Sequence, residues 1–245
     1  MWKLIVYKIM TLTGMFSVSA YLFIFAFLFP DKPSDTNCKE VRIIITDKPE
    51  YRLIGENQIR SLIAKAGLDP TGKPLKDIST ESIENVIQNN RFIKSVESYT
   101  TPSGNVCIEI SQRIPKFRII GSENYYIDAE KTKVPTANNF TAYIPIVTGK
   151  VNEEFAKGEL FDFITFLDKN DFWNAQLEQI NVLHNNNIEF VTRVGDAVIL
   201  LGSLDNYKTK LDKLHKLYET FNIIGWDRYK KIDLRYDGQI VCTKK

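Results

Sequence analysis

The sequence predicts an α+β protein in three parts: an apolar N-terminal helix, a compact unit ordered β-α-α-β-β, and a β-rich region with amphipathic helices that ends in a β-hairpin. Three observations carry that expectation. Residues 10–29 contain no charged side chain. Residues 41–115 alternate between two-residue and helical hydrophobic periods. Residues 116–245 hold short β-branched and aromatic runs, two helical stripes and an Asp237-Gly238 turn near the end.

A helix rises about 1.5 Å per residue, so an uncharged run over residues 10–29 is long enough for a hydrocarbon core of roughly 30 Å. Val18-Ser19-Ala20 offers a cleavage-like trio, yet the apolar run continues from Tyr21 to Phe29, which favours an uncleaved signal anchor. Lys3 and Lys8 flank the run on one side, and a mixed set of Asp31, Lys32, Asp35, Lys39 and Glu40 flanks the other. The expected orientation is therefore a cytoplasmic N-terminus with the remainder exported. Residues 30–40, with Pro30 and Pro33, read as a short extended linker.

Val41, Ile43 and Ile45 lie in a β-branched run over 41–46 that predicts the first strand. Ile59, Leu62, Ile63 and Ala66 recur at helical spacing, and Gly67 stops that helix. Ser79 or Thr80 caps a second helix whose apolar face is Ile83, Val86 and Ile87. Phe92 to Val96 leads into another strand, residues 101–105 form a turn, and Val106, Ile108 and Ile110 alternate with Cys107, Glu109 and Ser111.

Further on, residues 117–120, 125–127 and 143–147 read as strands. Leu160, Phe163, Ile164 and Leu167 mark one helix, and Leu204, Tyr207, Leu211, Leu214, Tyr218 and Phe221 mark a second. Residues 188–193 and 197–201 predict a hairpin about Gly195-Asp196. Residues 232–236 and 239–243 predict a final hairpin about Asp237-Gly238.

The composition excludes several functions. Of 32 basic residues only Lys3 and Lys8 precede the long exported part, leaving 30 against 30 acidic ones, a neutral balance that offers nothing to nucleic acid. Cys38, Cys107 and Cys242 are too few and scattered for a zinc site or a disulfide framework. His184 and His215 have no nucleophile or orienting acid at motif spacing, and no phosphate loop or nucleophile elbow is present. No cofactor, metal or catalytic residue is expected.

The β-α-α-β-β order resembles a POTRA domain, and Gln112-Arg113-Ile114-Pro115 resembles the E-R-x-P signature that ends such domains, with Gln112 at the usual glutamate position. In that topology the first and third strands are parallel neighbours, which places Cys38 and Cys107 at one end. Both a bond and two free thiols are compatible with the sequence. The whole chain resembles the FtsQ/DivIB cell-division family. The likeness rests on Tyr125-Tyr126-Ile127-Asp128, residues 144–149, Leu201-Gly202 before the long helix, and Ile232-Asp233-Leu234-Arg235-Tyr236. A second departure is Ala129-Glu130-Lys131-Thr132, where family members often have a turn glycine.

The resemblance implies residues 1–9 as a cytoplasmic start, 10–29 as a transmembrane helix, 41–115 as a POTRA-like domain and 116–245 as a β domain. It implies a non-enzymatic, single-pass inner-membrane scaffold of the divisome with a periplasmic bulk, located at the septum. The implied partners are the FtsB–FtsL coiled-coil subcomplex and other divisome components, with regulation of septal peptidoglycan synthesis as the outcome. The binding residues implied are Arg235, Tyr236, Gln239, Ile240, Val241, Cys242 and Thr243, through strand addition. The competing functions are a POTRA-bearing envelope assembly or secretion factor and a tethered cell-wall hydrolase.

Overall fold

The computed structural model of the chain describes residues 13–24, 36–137, 144–226 and 228–245. The first described element is helix α1, residues 13–24. Among the described residues no helix is long and apolar enough to cross a membrane. This corrects the expected transmembrane helix over residues 10–29, of which 10–12 and 25–29 lie outside the described residues. The expectations built on that span fall with it: embedding through residues 10–29 and the single-pass inner-membrane topology. Residues 30–35 of the expected linker and Tyr143 of the expected strand also lie outside the described residues.

The β-α-α-β-β unit comprises β1 (Glu40–Ile45), α2 (Glu56–Lys65), α3 (Thr80–Gln88), β2 (Ile93–Thr100) and β3 (Asn105–Gln112). The strand order is β1-β3-β2, with β1 parallel and β2 antiparallel to β3. Val106, Ile108 and Ile110 face one side and meet Ile59, Ile63, Ile83 and Ile87 of the two helices, all nearly inaccessible to solvent. The Ser79 hydroxyl caps α3 by accepting from Ser82 N at 3.2 Å.

Cys107 alternates with those core residues and lies on the opposite face, whereas Cys38 packs inside the core. The register sets Arg42, not Cys38, beside Cys107, and all three cysteines are free thiols.

The second region forms a nine-stranded sheet from β4 (Pro115–Ile120), β5 (Asn124–Asp128), β6 (Lys133–Pro135), β7 (Ile146–Gly149), β8 (Leu177–Val182), β9 (Ile188–Thr192), β10 (Val198–Gly202), β11 (Tyr229–Asp233) and β12 (Val241–Lys244). Its order is β12-β11-β10-β9-β8-β7-β4-β5-β6. Helices α4 (Glu153–Lys157), α5 (Glu159–Asp168) and α6 (Asp171–Gln176) connect the parallel pair β7 and β8, and α7 (Tyr207–Ile224) connects the parallel pair β10 and β11. One core joins these helices to alternate strand residues, including Phe117, Val147, Ile180, Phe190, Ile199 and Ile232. The helices thus cover a single face of the sheet. Phe163 of α5 meets Tyr207 of α7 edge-on, with ring centroids 5.2 Å apart.

The final hairpin differs from the expected one. β11 starts at Tyr229 and stops at Asp233, and Asp233 pairs with Val241, so residues 234–240 form a long connection instead of a two-residue turn. The cause is local. Asp233 Oδ1 accepts from Arg235 N at 3.1 Å and from Arg235 Nε at 2.9 Å, which bends the chain out of the strand. Arg235, Tyr236, Gln239 and Ile240 consequently lie outside the strands.

The two regions meet across a two-residue joint between β3 and β4. The Gln112 side chain is inaccessible, and its Oε1 accepts from Leu53 N at 2.8 Å and Ile54 N at 3.0 Å, while its Nε2 donates to Ile54 O at 3.0 Å. A neutral carboxamide satisfies all three groups. A carboxylate lacks the donor. Arg113 Nη1 donates to Asp128 Oδ2 at 2.9 Å, and the other Asp128 oxygen accepts from Glu130 N and Thr132 N. Lys131 in that turn takes φ 63°, a left-handed conformation in which glycine costs least. Leu53 and Phe92 from the first region pack with Tyr126, Val134, Ala137 and Ile144 from the second.

Gln112→Ala leaves three buried main-chain groups without partners, so we predict a stability loss of roughly 2–5 kcal/mol in urea denaturation. A change below about 0.5 kcal/mol would contradict this role for the joint.

Candidate functional site: the C-terminal sheet edge

Among the described residues the two open sheets have four edge strands, and each edge exposes main-chain donors and acceptors. At β1, Arg60 Nη2 of α2 donates to Val41 O at 2.9 Å. The segment leading into β1 is paired as well, through Cys38 N to Lys73 O and Gly72 N to Cys38 O. At β2, Glu84 of α3 accepts from Ser98 N at 2.5 Å and Gln88 of α3 donates to Lys94 O at 3.1 Å. At β6 the strand is only three residues long and ends in Pro135, which has no N–H to offer.

The fourth edge, β12, is different. Among the described residues no side chain hydrogen-bonds the main chain of Val241–Lys244. β12 pairs with β11 alone, antiparallel, with Val241 opposite Asp233, Cys242 opposite Ile232 and Thr243 opposite Lys231. Ile240 and Cys242 pack against the main core, and Val241 and Thr243 are exposed on the helix-free side. Desolvation pushes the Cys242 thiol up, which keeps it protonated.

The seven expected binding residues therefore separate into four structural positions. Val241, Cys242 and Thr243 form the edge strand itself, and Ile240 anchors it. Tyr236 and Gln239 are exposed in the connection before it, Tyr236 being 49% accessible. Arg235 supports the connection: Arg235 Nη2 also donates to Asp233 Oδ2 at 2.6 Å, and its stem lies over Gly202. A Cβ at Gly202, where φ is +76°, would come within 2.7 Å of Arg235 Cγ. Lys210 holds the same corner by donating to Leu201 O at 3.1 Å and Ser203 O at 2.8 Å. Sequence reasoning did not find Tyr229, Lys231 and Lys244 beside the edge. The alternation of Tyr229, Lys231 and Asp233 was the available signal, and a register shift between Tyr229 and Lys231 obscures it.

The Arg235 hydrogen bonds hold the Asp233 carboxyl below its ordinary value of 3.8. A depressed folded-state value stabilises the fold above the unfolded-state value, and this contribution disappears as pH falls through the folded one. Asp233→Asn should cost about 1–3 kcal/mol at neutral pH and flatten the acid limb of stability below about pH 4. Chemical denaturation from neutral pH to about pH 2 measures both, and an unchanged acid limb would contradict the assignment. At the guarded β2 edge, Glu84→Ala should speed amide exchange at Ser98 while leaving the central strand β3 protected.

Comparison with known families follows the same division of the chain. Residues 36–111 match the model of a POTRA-like domain, and residues 114–243 match the model described as FtsQ/DivIB, C-terminal related. No curated protein matches the chain. The second model covers more than half of the residues. Joined to a POTRA-like unit and followed to its last strand, that match shows that the chain belongs to the FtsQ/DivIB family.

Proposed function

We propose that β12 is the strand acceptor through which this chain binds the FtsB–FtsL coiled-coil subcomplex and thereby helps regulate septal peptidoglycan synthesis. The family gives the coarser statement directly: the chain is a divisome scaffold and not an enzyme. The main chain of Val241–Lys244, which no side chain engages among the described residues, supports the finer reading, because each of the other three edges carries at least one side-chain hydrogen bond or a proline. An added strand would take its affinity from main-chain hydrogen bonds and its selectivity from Val241 and Thr243 on one side and Cys242 on the other. In this reading residues 41–115 and 116–245 act as two structural units, with the second carrying the acceptor.

Strand addition leaves a signature of period two. Proline placed in turn at Val241, Cys242, Thr243 and Lys244 should impair FtsB–FtsL binding by about tenfold or more at alternate positions, where the N–H points away from β11. Calorimetric titration of each variant, with its melting temperature as a folding check, reads the pattern. Equal binding by all four folded variants would refute strand addition at β12.

A further inference from the structure

The two ends of the β12 edge differ in charge. At the Lys244 end, Arg228, Lys230, Lys231 and Lys244 lie on or next to the last two strands; among the described residues none of the four makes an ion pair, although Lys231 is near enough to Asp233 to stabilise its carboxylate. Lys231 lies opposite Thr243, and Lys244 lies opposite Tyr229. The nearby acids are engaged: Asp196 by Lys245 at 2.8 Å and Asp233 by Arg235 at 2.6 Å. At the other end of the strand, the connection from β11 carries the neutral Tyr236 and Gln239, Arg235, whose charge is engaged by Asp233, and Asp237, which faces Lys210 but forms no ion pair among the described residues.

From this gradient we infer that the partner segment accepted at β12 is acidic at the end lying beside Thr243 and Lys244. The inference rests on the strand-acceptor reading and specifies the partner's chemistry and polarity. β12 already runs antiparallel to β11, and antiparallel addition continues that pattern. The partner's N-terminal half then lies beside Lys244, so its carboxylates precede its apolar residues. Main-chain pairing has little sequence preference, and the charge gradient supplies the direction and register that it lacks. A strand entering in reverse would set its carboxylates near Asp237 and leave Arg228, Lys230 and Lys244 without a facing carboxylate from the partner.

The test uses the full chain and two labelled peptides with the same alternating apolar positions, one carrying Glu and the other Lys at the polar positions of its N-terminal half. Fluorescence anisotropy at low salt should show the Glu peptide binding about tenfold tighter, with the gap narrowing at about 0.5 M salt. The double variant Lys231→Glu with Lys244→Glu, checked for an unchanged melting temperature, should reverse the preference. Equal affinity for both peptides would overturn the charge inference and leave strand acceptance standing. A Glu peptide with a central proline that binds as tightly as its parent would reduce the effect to unspecific charge attraction and overturn the inference. Failure of both peptides to bind, with amide exchange at residues 241–244 unchanged, would overturn the inference together with the strand-acceptor reading.

Discussion

Every open sheet must do something with the main-chain groups along its outer strands, and that demand organises this molecule. A buried N–H or C=O left unpaired is costly, and an exposed row of them is a template for any passing strand. Here α2 and α3 have a second task besides burying the apolar face of the small sheet. Arg60 reaches Val41 O, and Glu84 and Gln88 reach Ser98 N and Lys94 O, so the same helices that build the core also engage main-chain groups along both edges. In the large sheet, closure at β6 comes from brevity and Pro135. β12 has no such device among the described residues, although its inner side is anchored through Ile240 and Cys242. An anchored but unguarded strand is suited to holding its geometry while it accepts a partner.

The position of that strand relative to the POTRA-like unit is governed by the joint. Gln112 lies where two main-chain donors and one main-chain acceptor converge, so a side chain that both donates and accepts fits and a carboxylate does not. This gives a physical reason for the departure from the family signature. The charge-bearing role passes to the next residue, since Arg113 meets Asp128, whose side chain is only 2% exposed. Asp128 also closes its own turn, which ties the ion pair to the backbone of β5 and limits the freedom of both partners.

Much of the architecture is legible in the sequence because local periodicity and burial agree. The alternation Val106, Ile108, Ile110 is the buried face of β3, and Leu160, Phe163, Ile164 and Leu167 form the buried stripe of α5. β8 is not legible, because a register shift between Leu177 and Gln179 breaks the two-residue period and places Leu177, Ile180 and Val182 on one face at uneven spacing. The last hairpin misleads for a related reason: the Asp237-Gly238 signal is genuine, with Gly238 at φ 77°, but Asp233 and Arg235 end the strand before the turn can set the register. The edge guards were invisible for a different reason. Each joins residues that only the tertiary fold brings together, and no local pattern announces that Glu84 will meet Ser98 N.

We propose that β12, whose main chain no side chain engages among the described residues, is the strand edge that accepts a partner. Amide hydrogen exchange across the whole chain, with and without a purified FtsB–FtsL subcomplex, addresses it most directly. The account predicts new protection at residues 241–244, confined to the amides that point away from β11, with β1 and β2 unchanged. Protection that appears at β1 or β2 while residues 241–244 exchange as before would contradict it.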